Sequence, residues 1–335
     1  MFIACLSHLL FLCFHSDGKR YKTHSLKKLS EDHLRLAQKV VIEADEPILR
    51  LKFPDPTWPP GMMADSPLLQ MEDLSFGYTK GKPPLLNDLT LQLNRSSKIA
   101  IVGCNGAGKS TLLKLITGEN GPNSSCEFKG TMWRHPSLRI GHVSQHSVEA
   151  LDEYGCMPVV EYADKFIRPG KACSSVISSA AGNIRQYLGA FGLGGKHAHR
   201  AISSLSGGEH MRLSLAEVFS KQPHLLCLDE PTNFLDMETL DSLAAALDTY
   251  RGAVIIVSHD QAFLSRFCKD LWVVENGSVD ARHADSSFDE LFSEYRSEAI
   301  AGVSARFSKR QQKTTMAKRA QQQRSGTKQH TGFIP

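Results

Sequence analysis

No stretch of the 335-residue chain holds 18 consecutive apolar residues, so no membrane-spanning helix and no stable membrane insertion is expected. No two of its eight cysteines form a C-x-x-C pair. Two of them, Cys104 and Cys227, fall in segments read below as a phosphate loop and a buried strand. That usage suits a reducing, cytoplasmic compartment better than a disulfide framework. Met1–Phe14 is apolar but lacks the basic stretch before it and the A-x-A site after it that a secretory leader carries. There is no internal repeat. Hydrophobic residues make up 41% and charged residues 22%, an ordinary globular balance that excludes a mostly disordered or collagen-like chain. The length suits about two domains, or one large domain with extensions, and can bury a core without covalent staples.

Acidic residues are absent from one end. Residues 305–335 hold eight Lys or Arg and no Asp or Glu, and residues 19–39 hold seven basic and two acidic residues. The stretch between, 40–304, carries 24 basic against 32 acidic residues. Basic ends on an acidic middle point to an anionic partner, nucleic acid above all; tails that only confer solubility are the equally weighted plain reading.

The pattern divides the chain. Residues 25–39 read as a polar, basic helix, and the Pro-rich residues 54–67 as a linker. From Leu68, LLQMEDLSFGY and LTLQL read as strands separated by turn residues. SKIAIVG is a short β-rich run, and TLLKLITG has helical spacing with Gly at its end. Gly, Ser and short helices predominate around 165–204. Residues 209–221 and 238–250 read as helices, 224–229 and 253–258 as strands. Alternating strands and helices imply a mainly parallel sheet with covered faces. After Asp285 an acidic helix precedes a basic, Gln-rich tail.

The strongest motif is Gly103-Cys104-Asn105-Gly106-Ala107-Gly108-Lys109-Ser110-Thr111, which fits G-x-x-x-x-G-K-[ST] between a strand and a helix. Small residues let backbone N–H groups turn inward around phosphate oxygens, and the helix N-terminus adds partial positive charge. Lys109 can reach the terminal phosphates and the Ser110 hydroxyl can bind Mg²⁺. The motif predicts a nucleoside triphosphate site without separating kinase, GTPase and ATPase.

Five weaker signals follow. His224–Glu230 is an apolar strand ending in Asp229 and Glu230, positioned for Mg²⁺ and for a general base; taken singly, strands ending in solvated acids are common. Leu205-Ser206-Gly207-Gly208-Glu209 puts a hydroxyl and bare N–H groups at a helix start, which is also an ordinary cap. Ser258-His259-Asp260 ends a strand with a His able to meet a γ-phosphate, although a lone His is more often structural. Gln145 near a strand end could contact Mg²⁺ or water, and Tyr78 could stack on a base or simply be core.

In this order along the chain, these motifs resemble the ATP-binding cassette superfamily across about residues 68–280. The resemblance implies an α/β, ABC-type P-loop NTPase: a parallel-sheet core, an antiparallel β subdomain and a small α-helical subdomain. It implies ATP stacked on Tyr78 and bound by Gly103–Thr111, with Mg²⁺ contacted by Ser110, Gln145 and Asp229. It further implies Glu230 as catalytic base, His259 as switch and Lys109 on the phosphates. Asp236, in PTNFLD, matches a loop that touches an opposing cassette. In the family the L-S-G-G-x element closes over ATP bound by that other cassette.

The finer resemblance is to the second cassette of the ABC-F group, cytosolic proteins with two cassettes that act at the ribosome. It rests on LKFPDP (51–56), GCNGAGKSTLLKLITGE, GHVSQHSVEALD, LDEPTNFLDMETLDSLAAAL and VIIVSHDQAFL. Residues 1–65 would then be an extension ending an inter-cassette linker, 66–285 the cassette, and 286–335 a C-terminal helix and basic tail. The implied partners are a second cassette, as a homodimer or a missing half, and ribosomal or other RNA at the basic ends. Glu209 stands where many cassettes have Gln, and 168–183 is unusually small and polar. Two other readings compete: the ATPase subunit of a transporter whose membrane domain is on another chain, and a fragment that binds ATP without turnover.

Overall fold

A computed structural model of the protein describes residues 50–119, 126–167, 184–284 and 287–302. The expected helix at 25–39, the small polar stretch 168–183 and the basic tail 305–335 lie outside the described residues.

The central sheet has six strands in the order β5-β6-β7-β3-β8-β9. These are β3 (Lys98–Val102), β5 (Ile140–Val143), β6 (Leu225–Asp229), β7 (Ala253–Val257), β8 (Asp270–Glu275) and β9 (Ser278–His283). The first five in that order run parallel, and β9 turns back antiparallel on β8. Successive residues of the central strands divide between two cores. Ala100, Val102, Leu226, Leu228, Val254 and Ile256 enter one; Ile99, Ile101, Leu225, Cys227, Ile255 and Val257 enter the other. Both faces are therefore covered, which is why KIAIV, LLCLD and AVIIV read as unbroken apolar runs rather than alternating ones.

The second core is closed by helix α1 (Lys109–Thr117) and by a three-stranded antiparallel sheet, β2-β1-β4. Its strands are β1 (Pro67–Gly77), β2 (Leu86–Asn94) and β4 (Glu127–Arg134). β2 alternates buried and exposed residues, the signature of a strand with one wet face. The first core takes the helices: α3 (Val159–Phe166), α4 (Ile184–Ala190), α5 (Gly207–Ser220) and α6 (Met237–Thr249). Two shorter helices, α2 (Gln145–Glu149) and α7 (Gln261–Leu264), follow β5 and β7. Helix α8, over residues 288–302, packs Phe288 and Phe292 into the same core.

The Pro-rich stretch read as a linker is a strap. It lacks regular structure, as its prolines dictate, yet Leu51, Pro54 and Pro56 are buried. The Phe53 ring stacks on Phe219 at 4.1 Å and faces Phe191 at 5.9 Å. The Leu51 N–H donates to Ser242 Oγ at 2.8 Å, and the Lys52 N–H to the Ala190 carbonyl at 3.1 Å. His224 Nε2 meets the Thr57 carbonyl at 2.9 Å while its Nδ1 accepts the Arg139 N–H at 3.1 Å, which fixes a neutral imidazole. Composition marks such a segment as irregular; it does not reveal that Leu51, Pro54 and Pro56 are buried and that Phe53 packs against the core.

Lys98, at the head of β3, is buried and donates to the carbonyls of Leu247 (2.9 Å) and Tyr250 (2.7 Å). It thereby closes the C-terminal end of α6, where carbonyls have no partner within the helix. Burial pushes its ammonium down to about 8.

Two predictions follow from these anchors. Phe53→Ala should lower unfolding stability by about 2–4 kcal/mol, read from denaturant midpoints, because it empties a stacked aromatic site. A midpoint equal to the parent's would mean that the strap is not fastened there. Between the depressed amine value of about 8 and the ordinary value, 10.5, the unfolded chain holds a proton that the folded chain has released. Stability should therefore rise with pH across that window, and the rise should flatten in Lys98→Met.

Candidate functional site

Parallel strands end at a common edge, and there the predicted residues meet. β3 runs into Gly103, whose φ is +150°; a Cβ on it would lie 2.3 Å from the Val274 carbonyl oxygen, so only glycine fits. Gly108 caps α1 in a left-handed conformation, φ +112°. Between them the chain curls around the Lys109 amine. That side chain is buried, and its Nζ donates to the carbonyls of Gly103 at 2.8 Å and Cys104 at 3.2 Å. Ala107 N–H closes the loop on the Cys104 carbonyl at 3.1 Å. Asn105, Gly106 and Ala107 face a cleft of about 340 Å³ shared with Leu85 and Asn87.

Tyr78, just past β1, is half exposed. Its ring stands edge-on to Phe76 at 5.2 Å, and its hydroxyl lies 3.1 Å from Thr111 Oγ1, which ties it to the helix behind the loop. Gln145 opens α2, two residues beyond β5.

Asp229 is the last residue of β6, beside Val257 of β7. Glu230 follows with φ 49° and ψ 51°, a left-handed conformation rare for a side-chain-bearing residue. Its N–H donates to the Val257 carbonyl at 2.9 Å. Its carboxylate lies 3.4 Å from His259 Nε2, brought there by the end of β7. Burial pushes the Glu230 carboxyl up, and Asp229 adds to the rise; His259 and Lys109 oppose it. The strain and the raised carboxyl are features expected where chemistry is done. Ser258 is wholly buried, its Oγ accepting the Asp260 N–H at 3.2 Å.

A second set assembles around α5. Ser206 is its N-cap: Ser206 Oγ accepts the Glu209 N–H at 3.2 Å, and the Glu209 carboxylate accepts the Ser206 N–H at 2.7 Å. This capping box holds Leu205–Glu209 in one conformation. Asp236 caps α6, accepting the Thr239 N–H at 2.8 Å. Arg212, on α5, feels both Glu209 and Asp236 and donates to the Gly192 carbonyl at 3.1 Å. Three side chains of this set carry no sequence signal: His197, Arg200 and Arg212. His197 lies in one tight 3₁₀ turn and Arg200 just after it, with a second 3₁₀ turn before Glu209, so no helical or strand period links them to it.

Among the described residues no three His, Cys, Asp or Glu side chains converge as a metal cage. Ser110 and Asp229 instead supply isolated oxygens on adjacent elements, the donor set of a hard cation that arrives with phosphate oxygens. The curled loop and its inward lysine fit a phosphate chain. On occupancy the ammonium would exchange two carbonyl partners for anionic oxygens.

Comparison with known proteins agrees. The ABC transporter family matches residues 86–233. ATP-binding cassette sub-family F member 3 of Mus musculus is 41% identical over 241 residues, 72% of this chain and 31% of that protein. Protein GCN20 of Saccharomyces cerevisiae is 35% identical over 263 residues, 78% of this chain and 32% of that protein. The chain thus spans about a third of the length of these relatives. A dimeric bacterial ABC transporter cassette superposes with TM-score 0.51 at 18% identity, over 65% of this chain and 100% of that one, which bears on the fold alone.

Proposed function

The chain carries an ATP-binding cassette of the ABC family, similar to ABC-F proteins, and from that premise we propose that it binds and hydrolyses ATP and couples the cycle to an RNA-rich partner, the ribosome. The observation that carries the reading is the meeting of Lys109, Asp229, Glu230 and His259 at one sheet edge. We take residues 66–285 as the cassette, 1–65 as the end of an inter-cassette linker, and 286–335 as a C-terminal helix and basic tail.

The roles follow from chemistry. Tyr78 stacks on the adenine. The N–H groups of Gly103–Thr111 and the Lys109 ammonium bind the phosphates. Ser110, Gln145 and Asp229 would hold Mg²⁺, which would neutralise charge on the phosphate oxygens. Glu230 accepts the proton of the attacking water. Its raised carboxyl makes it a better base than a solvated glutamate, and His259, at 3.4 Å, keeps it in line with the γ-phosphate. Ser206–Glu209 and Asp236 face a second cassette, so ATP closes the pair and hydrolysis reopens it.

The ribosomal part draws its support from the ABC-F relatives and from the basic stretches 19–39 and 305–335. Among the described residues no helix is long and apolar enough to cross a membrane.

Glu230→Gln should cut kcat by about 10²–10⁴-fold while ATP affinity is retained. Lys109→Ala should weaken binding and turnover together. In the parent, kcat should fall on the acid side at a pH above the ordinary carboxylate range, because Glu230 must be ionised to accept a proton. Full activity in Glu230→Gln would remove it as the base. With ATP, Glu230→Gln protein should sediment with ribosomes at low salt, with a log–log salt slope of about −3 to −8. No co-sedimentation would sink the ribosomal part. Co-purification with a polytopic membrane protein would favour a transporter subunit in its place.

A further inference from the structure

The signature of this chain contains a charge that its task disfavours. Glu209 sits in the first turn of α5, in the very element proposed to approach a triphosphate. A carboxylate there repels phosphate oxygens and cancels part of the helix's positive end. A glutamine, which many cassettes carry at this position, would not.

The structure surrounds that carboxylate with compensating groups. The Glu209 side chain is only 7% exposed. His197 Nδ1 lies 2.7 Å from its Oε1. Arg200 spans both oxygens with a single nitrogen, Nη1 lying 3.0 Å from Oε1 and 3.3 Å from Oε2. The Ser206 N–H takes Oε2 at 2.7 Å. Arg200 also reaches back: its Nε donates to Ser204 Oγ at 3.3 Å and its Nη2 to the Ser204 carbonyl. The guanidinium thus binds the turn Ile202–Ser204, immediately before the signature, to the residue that caps it. Burial by itself would raise the Glu209 carboxyl; the Ser206 N–H, His197 and Arg200 together outweigh it and hold the group below its ordinary value. A charge-assisted contact of this kind is stronger than a neutral hydrogen bond, and losing one partner leaves an uncompensated charge.

We propose that Arg200, aided by His197, is a positioning residue for the signature: it neutralises and clamps Glu209 so that Ser206–Gly208 can face the triphosphate held by an opposing cassette. This rests on the reading that the signature acts in trans. Arg200 touches no reacting atom of its own cassette. Its loss therefore weakens closure while leaving the cassette's own nucleotide pocket unchanged.

The test uses the full chain in the Glu230→Gln background, where ATP is bound but not consumed. Affinity for a fluorescent ATP analogue is measured at dilute protein, and ATP-dependent association by light scattering. Arg200→Ala should keep ATP affinity within about twofold and weaken association by about tenfold or more. Arg200→Lys, which keeps the charge but cannot bond Glu209 and both Ser204 oxygens at once, should fall between. Arg200→Ala combined with Glu209→Gln should recover association to within about threefold, because the stranded carboxylate is gone. A merely structural role for Arg200 would show no such recovery. Parent-like association in Arg200→Ala, or no recovery in the double variant, overturns the proposal alone. A Glu230→Gln chain that binds ATP but never associates overturns the trans reading, and the proposal with it.

Discussion

Each parallel strand leaves the central sheet through the same edge, and that shared exit does the organising. The registers of β5 on β6, β6 on β7 and β7 on β3 put Val143, Asp229, Val257 and the end of β3 side by side. The residues that follow are thrown into one region: Gln145, Glu230, His259 and the glycine loop. The two cores on either face hold that register. A one-residue slip would exchange every side chain between the helical face and the α1 face. Site geometry and core packing are thus one constraint. The Gly103 position shows how tight it is, since a single methyl group would strike the β8 backbone.

The second set of residues is built differently. It depends on helix ends rather than strand ends, and on charge rather than on apolar register. Capping interactions place Ser206 and Asp236; Arg212 connects them electrostatically and ties α5 to the turn after α4. The strap joins the same region from outside. Phe53 reaches Phe191 beside α4 and Phe219 at the end of α5, while Leu51 is bonded to α6. Motion of α4 and α5 relative to the sheet would be felt at the strap. Lys98 works the opposite way, joining β3 to the end of α6 and stiffening the part that carries the phosphate loop.

The elements legible in the sequence were those with a single cause. KIAIV, LLCLD and AVIIV are apolar without interruption because both of their faces are covered. The glycine loop declares itself because a backbone curled round an anion tolerates little else at Gly103 and Gly108. β4 and β9 escaped: no residue of EFKGTMWR or SVDARH is fully buried, so no burial pattern marks them. The strap was legible as irregular and illegible as packed, because proline dictates the first property and tertiary contact the second. The Arg200–Glu209 pair escaped for a third reason. It joins residues nine apart across a 3₁₀ turn and a helix start, where no secondary-structure period brings side chains together.

Glu209 and Glu230 show how far environment separates identical side chains. Each is partly enclosed, and burial alone pushes both carboxyls up. Glu209 is answered by a helix-cap N–H, an imidazole and a guanidinium, and the balance turns downward. Glu230 meets a histidine at 3.4 Å, but the neighbouring Asp229 works against ionisation, and the balance stays upward. A carboxylate held that firmly in its charged form is a poor proton acceptor and a good anchor; one whose charge is resisted is the better base. The assignment of clamp and base therefore follows from what surrounds each glutamate. It also predicts an asymmetry between the two amide replacements: Glu209→Gln costs one charged contact that a neutral cap can replace, whereas Glu230→Gln removes the carboxylate proposed to take the proton.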